Sequence, residues 1–270
     1  MDTRSVLVIG GSGFIGSHLI AKLSRPDWSV VVPTRHVSHA RHLRLIPSVD
    51  DIVEANVHDD TALRRLIDGK DAVINLVGIL HGSHGTPYGR EFARAHVELP
   101  KRIVAMCGEL GVQRYLHMSA LGADSNGPSM YLRSKGDGEA AALSDPRVAT
   151  TIFRPSVVFG DNDRFLNLFA ELETLMPVMF LGGADAKLQP VYVEDVAQAF
   201  VTALHDDRDT IGKCYELAGP NIYTLRELVR LAGEYTGHQR PVIGLSPGLA
   251  RMLAAVLEHM PGSLMSRDNL

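Results

Sequence analysis

Short apolar runs rich in β-branched residues alternate along the first half of the chain with longer stretches that have the spacing of amphipathic helices. The runs predict buried strands, because a strand that is covered on both faces is apolar throughout. Since strands joined by helices pair in parallel through right-handed crossovers, the alternation predicts an α/β fold with a doubly wound parallel sheet of Rossmann type. The predicted strands are Ser5–Ile9, Ser29–Val32, Asp51–Glu54, Ala72–Val77, Tyr115–Met118 and Thr150–Phe153.

The alternation ends after Pro155, where a stretch rich in Leu, Met, Phe and Gly begins. We therefore expect a dinucleotide-binding core over residues 1–160 and a smaller substrate or partner lobe over residues 161–270, interleaved with the core. Later elements are predicted as strands at Pro190–Val193 and Lys213–Ala218, a helix at Leu225–Thr236 with Thr224 and Gly237 as caps, and an apolar-striped helix at Leu249–Met260. The stripe of that last helix would pack on the lobe, or contact a partner or a membrane surface.

A glycine-rich turn follows the first strand, with glycines at Gly10, Gly13 and Gly16 ahead of a helix predicted at Ser17–Leu23. Small residues let backbone N–H groups approach a pyrophosphate, whose negative charge is favoured at a helix N-terminus. A strand, this spacing and a helix together favour dinucleotide binding over an ordinary tight turn. The residues expected to contact the pyrophosphate are Gly10, Ser12, Gly13, Phe14, Ile15 and Gly16.

The end of the second strand indicates which dinucleotide binds. In NAD-binding sites a carboxylate at the end of this strand binds the ribose 2′-hydroxyl. This chain has Arg35 at that position. A guanidinium can pair bidentately with a 2′-phosphate, so the expected cofactor is NADP, as NADPH. The alternative is that Arg35 is an ordinary surface arginine.

The composition of the chain argues against several classes of protein. The 270 residues are 45% hydrophobic and 21% charged, which is globular, and the net charge of -4 offers no general attraction for nucleic acid. Cys107 and Cys214 suggest neither a disulfide framework nor a thiolate metal site. No apolar run reaches the roughly 18 residues of a membrane span, and the chain enters a strand almost at once, so we expect a cytoplasmic protein without a transmembrane segment.

Three histidines, His36, His39 and His42, are spaced three residues apart. No cysteine or carboxylate completes a four-ligand set, so we expect a solvated loop or a patch on the phosphate side of the cofactor, and no metal site.

Several motifs resemble the short-chain dehydrogenase/reductase superfamily, in its extended and atypical branches. They are Gly10–Gly16, Asn56-Val57, Asn75–Gly78, Tyr131–Lys135, Arg154–Gly160 and Pro190–Ala197. Three segments are similar, more narrowly, to the NADPH-binding accessory subunits of mitochondrial complex I and their bacterial relatives: His117–Ala120, Tyr131–Lys135 and Asp163–Asn167. That likeness implies a respiratory-complex or quinone-pathway partner and a place at the periphery of the inner membrane.

The resemblance also implies further cofactor contacts. Asn56 and Val57 would line the adenine pocket, and Val77 and Gly78, with Leu76 in the same motif, would pass beneath the ribose. Pro155 and Val158 would border the nicotinamide. Ordinary core packing is the alternative for the apolar residues, and Asn56 could merely cap a turn.

The same resemblance implies catalytic roles for Tyr131 and Lys135, which are four residues apart and therefore share one helix face. The ammonium of Lys135 is expected to lower the pKa of Tyr131 and to bind the nicotinamide ribose, which would make Tyr131 a general acid. Ser119 would polarise the substrate carbonyl. Two departures weaken this site: Ala120 occupies the usual hydroxyl position, and His96 stands where the extended branch often has asparagine.

Three functions remain open. The first is an NADPH-dependent oxidoreductase acting on a small apolar carbonyl or quinone-like substrate, since Leu166–Leu181 supplies apolar side chains and few charges. The second is a non-catalytic NADPH-binding accessory or scaffold protein, which Ala120 favours. The third is a nucleotide-sugar epimerase or dehydratase, which the preference for NADP disfavours.

Overall fold

The computed structural model describes residues 3–23, 27–205, 207–246 and 248–249. The chain divides into two compact units, the first comprising Met1–Pro155 and Val193–Leu217 and the second Ser156–Tyr192 and Ala218–Leu270. The helix Leu249–Met260 that we predicted lies, beyond its first residue, outside the described residues. No helix within the described ranges has both the length and the apolar composition needed to cross a membrane.

The first unit opens with alternating strands and helices. In chain order these are β1 (Arg4–Ile9), α1 (Phe14–Lys22), β2 (Trp28–Thr34), a 3-10 helix (Val37–Leu45), β3 (Val49–Glu54), α2 (Asp60–Ile67), β4 (Ala72–Asn75), α3 (Arg90–Phe92), a π-helical segment (Ala93–Glu98), α4 (Leu99–Leu110), β5 (Arg114–Met118), α5 (Met130–Ala142) and β6 (Ala149–Pro155).

Later elements of the chain are shorter. They are β7 (Val158–Phe159), α6 (Leu166–Leu175), β8 (Met179–Leu181), β9 (Lys187–Leu188), β10 (Val191–Tyr192), α7 (Val193–His205), α8 (Asp207–Thr210), β11 (Cys214–Leu217), β12 (Tyr223–Thr224), α9 (Leu225–Thr236) and β13 (Val242–Gly244). Of these, α7, α8 and β11 belong to the first unit.

Seven strands form one sheet in the order β11-β6-β5-β4-β1-β2-β3, and every neighbouring pair is parallel. The predicted doubly wound parallel sheet is thus confirmed. The strand order reverses between β1 and β4, where Ile9 pairs with Asn75. Open α/β sheets bind ligands outside the carboxyl ends of the strands at such a switch point.

Apolar burial explains why this sheet forms. Val6, Leu7, Val8 and Ile9 of β1 are all at most 1% exposed, as the continuous apolar run predicts for a central strand. One core cluster joins side chains of the sheet to helices α2 and α4, including Leu7, Leu63, Val73, Ile103 and Tyr115. At roughly 1.5–3 kcal/mol for each large apolar side chain, this burial dominates the stability of the unit.

Among the described residues of the second unit, three pairs of short strands accompany the helices α6 and α9. The pairs are β7 with β10, β8 with β13 and β9 with β12. Helix α9 begins and ends as predicted: Thr224 and Glu227 form a reciprocal capping box, and Gly237 ends the helix in the left-handed conformation. A core of its own includes Phe169, Leu181 and Val229.

Several predicted boundaries were wrong by one to three residues, and those of three elements matter most for the site. Helix α1 begins at Phe14, not at Ser17, because the extended Gly13 is already its N-cap. Strand β4 ends at Asn75, not at Val77, and the strand predicted at Pro190–Val193 is only β10, because α7 begins at Val193.

Candidate dinucleotide site

The glycine turn joins β1 to α1 with little room for side chains. Gly10 has a φ of 86°, and its carbonyl accepts a hydrogen bond from the N–H of Gly13 at 3.0 Å. A Cβ on Gly16 would lie 2.5 Å from the Gly10 oxygen and 2.6 Å from the Gly11 Cα. Only glycine therefore permits this close packing of helix on turn.

The early start of α1 brings the predicted pyrophosphate contacts together at one helix N-terminus. Gly13 is the N-cap, and Phe14 and Ile15 begin the first turn, whose N–H groups have no partner within the helix itself. Ser12 lies half-buried in the turn just before them. This arrangement fits an anionic pyrophosphate, which is favoured at a helix N-terminus.

Arg35 directly follows β2 and is exposed at the carboxyl edge of the sheet. His58 follows β3, and its pKa is affected by burial and by the charges of nearby side chains. Burial lowers the pKa of His58, and the positive charges of Arg94, Arg102 and Arg35 lower it further. Arg102 also donates to the backbone carbonyl of His58 at 3.0 Å and contacts its Nδ1 at 3.1 Å.

The two residues expected to line the adenine pocket lie between β3 and α2. The side-chain oxygen of Asn56 accepts the backbone N–H of His58 at 3.1 Å, so Asn56 does form the turn that was the alternative interpretation. Val57 packs against the core of the first unit. Their contact with adenine stays a prediction.

The segment after β4 closely approaches the glycine turn. Leu76 donates to the carbonyl of Ile9 at 2.9 Å, and a Cβ on Gly10 would lie 3.2 Å from the backbone carbon of Leu76. The N–H of Val77 binds the side-chain oxygen of Asn75 at 3.1 Å. A Cβ on Gly78 would lie 3.3 Å from the Lys135 Nζ, so the structure brings these two predicted site residues together.

Tyr131 and Lys135 lie in the first turns of α5, which begins at its N-cap Ser129. The Lys135 Nζ lies 5.9 Å from the centroid of the Tyr131 ring and donates to the carbonyl of Met118 at 3.2 Å. Burial lowers the pKa of Lys135 to about 8. The two side chains therefore share one environment, as their spacing predicts.

The expected lowering of the Tyr131 pKa was wrong in direction. Burial raises the pKa of Tyr131 to about 12. Its ring lies edge-on to the rings of His96 and Phe92, with centroids 5.6 and 6.5 Å away. Loss of hydration around the phenol therefore outweighs the attraction of the Lys135 ammonium.

Ser119 lies at the end of β5, where its N–H binds the carbonyl of Phe153 at 2.7 Å. The side chain is only 3% exposed, and its hydroxyl oxygen has no hydrogen-bond partner among the described residues. A substrate carbonyl cannot reach that oxygen in this conformation, so a polarising role for Ser119 stays a prediction.

The two remaining predicted contacts belong to different units. Pro155 ends β6 in the first unit, is buried, and accepts the N–H of Leu121 at 2.9 Å. Val158 begins β7 in the second unit, where it pairs with Val191.

The histidine-rich segment is ordered differently from the expected loop. Val37–Leu45 forms a 3-10 helix, and the rings of His36 and His39 lie 5.5 Å apart. Within the described ranges, no group of three or more His, Cys, Asp or Glu side chains could hold a metal ion.

A buried polar cluster beside Lys135 was largely missed by the sequence analysis. Asn75 and Tyr115 both contact the His117 Nδ1, at 3.3 and 3.2 Å. Burial and the nearby Lys135 lower the pKa of His117 to about 3. Ser134 and His96 complete the cluster with a 2.8 Å hydrogen bond. Asn75, His117 and Ser134 had been noted only as parts of family motifs, and His96 only because its position departs from the family pattern.

The NAD dependent epimerase/dehydratase family model matches residues 6–218, which is most of the chain and includes the glycine turn and both residues of the tyrosine–lysine pair. The chain belongs to this family. The membership expected from the motifs is confirmed.

Within the family, the narrower likeness is confirmed as well. The chain is 33% identical to "NADH dehydrogenase [ubiquinone] 1 alpha subcomplex subunit 9, mitochondrial" of Arabidopsis thaliana, over 94% of this chain and 63% of that protein. The protein of the same description from Mus musculus is 36% identical over 83% of this chain and 59% of its own length. The chain thus spans about three fifths of these relatives.

Other relatives carry enzyme names. A "Ceramide reductase" of Caulobacter vibrioides is 28% identical over 92% of this chain and 76% of that protein. Among solved structures, a dTDP-glucose 4,6-dehydratase from Streptomyces venezuelae with bound NAD has a TM-score of 0.77 at 20% identity, covering 90% of this chain and 85% of that chain. At this identity the structural likeness shows the shared fold alone.

Proposed function

We propose that the chain binds NADP(H) at the carboxyl edge of the seven-stranded sheet and holds it as a resident cofactor of an accessory protein, without turnover. Gly16 supports binding most directly, because its missing Cβ lets α1 pack on the glycine turn with its N-terminus open to a pyrophosphate.

Preference for the phosphorylated dinucleotide rests on charge. Arg35 is exposed where NAD-binding sites place an acid, and Arg94 and Arg102 act on the same His58. A ribose 2′-phosphate would gain charge-assisted hydrogen bonds at this edge, whereas a 2′-hydroxyl would not.

A role without turnover rests on the chemistry of the tyrosine–lysine pair and on the relatives. A phenol with a pKa near 12 and a serine hydroxyl that is sealed from solvent make a poor acid/base site near neutral pH. The relatives named as NADH dehydrogenase subunits support a respiratory-complex partner and a place at the periphery of the inner membrane.

The second candidate is an NADPH-dependent reductase of an apolar carbonyl or quinone-like substrate. The proximity of Lys135 to both Gly78 and Tyr131 favours it, as does the ceramide reductase relative. Bound NADPH would supply the hydride. Tyr131 would give its phenolic proton to the carbonyl oxygen, and Lys135 would hold the ribose and stabilise the phenolate that remains. No specific observation favours a nucleotide-sugar substrate.

Two measurements on the purified chain separate these candidates. The copurified nucleotide is released and identified by mass spectrometry, and the protein is then assayed for NADPH oxidation with quinone-like and ketone compounds. We expect NADP(H) and no turnover. Recovery of NAD(H) would contradict the proposed cofactor. Turnover that falls on the order of 10² to 10⁴-fold in Tyr131→Phe would establish the reductase instead.

A further inference from the structure

His96 lies in the π-helical segment Ala93–Glu98, where the helix that follows β4 changes its hydrogen-bonding pattern. Such segments are rare and frequently lie at functional sites. Pro100 has no N–H to donate to the carbonyl of His96 four residues earlier. Gly138 of α5 packs directly on that carbonyl oxygen, with no room for a Cβ. The backbone at His96 therefore packs closely on α5, the helix that carries Tyr131 and Lys135.

Both ring nitrogens of His96 are occupied. Its Nε2 accepts the backbone N–H of Ile79 at 3.0 Å, so this nitrogen carries no proton. Its Nδ1 lies 2.8 Å from the Ser134 hydroxyl oxygen, and that hydroxyl donates its own proton to the Tyr131 carbonyl at 2.8 Å. Hence the Nδ1–H donates to Ser134, and the neutral tautomer is fixed.

His96 cannot relay protons in this arrangement. The side chain is 1% exposed, and burial together with the positive charge of Lys135 lowers its pKa to about 2. The imidazole therefore stays neutral at every pH at which the protein would work.

The two hydrogen bonds connect the two sides of the candidate ribose site. Ile79 adjoins Gly78, and Ser134 adjoins Lys135. A Cβ on Gly78 would lie 3.3 Å from the Lys135 Nζ and 3.8 Å from the His96 Nε2. The imidazole thus bridges the backbone after β4 and the first turns of α5 beside the lysine.

We propose that His96 is a positioning residue that sets the spacing between Gly78 and Lys135 and thereby the affinity for the nicotinamide-ribose half of the dinucleotide. This role rests on the proposed binding of NADP(H). The adenine half, near Arg35 and Asn56, does not depend on it.

Calorimetric titration with two ligands tests this role: NADPH, and adenosine 2′,5′-bisphosphate, which lacks the nicotinamide ribose. His96→Phe keeps an aromatic ring at this position, although a somewhat larger one, and removes both hydrogen bonds. We expect it to weaken NADPH binding about tenfold and to leave adenosine 2′,5′-bisphosphate binding unchanged. His96→Gln, which can still accept from Ile79, should recover part of the affinity.

Ser134→Ala provides a second variant that leaves the histidine in place. Its control is Ser144→Ala, two residues beyond the last residue of α5, because the exposed Ser144 also donates its hydroxyl to the carbonyl three residues earlier, at 2.8 Å. We expect Ser134→Ala to weaken NADPH binding about threefold and Ser144→Ala to have no effect.

Equal weakening of both ligands, or of neither, in His96→Phe and Ser134→Ala would overturn the positioning role while leaving the proposed function intact. An unmodified chain that binds neither ligand would contradict the proposed function, and the positioning role with it.

Discussion

Arg35 is the residue on which the choice between NADP(H) and NAD(H) depends. It is exposed directly after β2, and its positive charge, like those of Arg94 and Arg102, acts on His58. We expect Arg35→Ala to lose about 1.5 to 3 kcal/mol of NADPH binding, the contribution of a charge-assisted pair, and to leave NADH binding unchanged. Isothermal titration calorimetry measures the affinity of the variant for NADPH and for NADH. The control, Arg65→Ala, removes an exposed arginine of α2 and should change neither; an equal loss in the two variants would argue against a specific phosphate contact.

Lys135 should make stability depend on pH in the alkaline range. Burial lowers its pKa from 10.5 to about 8, so between these values the unfolded chain binds more protons than the folded one. Stability then rises with pH across this window, by about 3 kcal/mol for this one group. Urea unfolding from pH 7.5 to 10.5 should show this rise in the unmodified protein relative to Lys135→Met. Parallel curves for the two proteins would mean that the lysine is not held in a desolvated site.

For single residues, the sequence predicted which side chains lie close together better than it predicted how burial changes their pKa values. Gly78 and Lys135 meet as expected, because both follow from motif and strand order. The pKa of Tyr131 moved in the opposite direction to the prediction, because desolvation by Phe92 and His96 depends on tertiary packing that spacing does not show. Ser134 could not be found, since its importance comes from a hydrogen bond to a residue of another helix.

Among the elements, helices α6 and α9 enclose a carboxylate that destabilises their packing. Glu173 of α6 is fully buried, and neither of its carboxylate oxygens has a hydrogen-bond partner in the described part of the chain. A Cβ on Gly233 of α9 would collide with that carboxylate. Burial raises the pKa of Glu173, and the backbone N–H of Arg240 and then the charge of its side chain oppose this shift.

Replacing this carboxylate should stabilise the protein. An acid whose pKa is raised in the folded state makes its full contribution to the unfolding free energy below its ordinary pKa of about 4.3. That contribution is lost as the pH rises through the raised pKa. We expect Glu173→Met to increase the unfolding free energy at pH 7 by about 1 to 3 kcal/mol, with a smaller gain at pH 4. Denaturant titration at both pH values measures this gain. Glu171→Met, on the exposed face of α6, is the control; an equal gain there would show that burial of Glu173 is not the cause.

Element boundaries were predictable where a local chemical signal marks them. Thr224 and Gly237 bound α9 as expected, because capping residues act within a few positions of the helix end. The start of α1 was placed three residues late, since Gly13 caps it without a side chain. The π-helical segment around His96 has no period of its own to detect.

For the whole molecule, the sheet was predictable and the second unit only in part. The central strands of the sheet are mostly buried and apolar, and helical stretches separate them, so the alternation determines the class of fold. Strands of two or three residues, such as β7, β9 and β13, are too short to show alternation, and their pairing depends on contacts distant in sequence.

The central claim is that this chain holds the phosphorylated dinucleotide. Competitive calorimetry of NADPH and NADH on the unmodified protein tests it most directly. We predict that NADPH binds more tightly by about tenfold or more, with an advantage that shrinks as salt screens the 2′-phosphate. Equal affinities, or tighter binding of NADH, would contradict it.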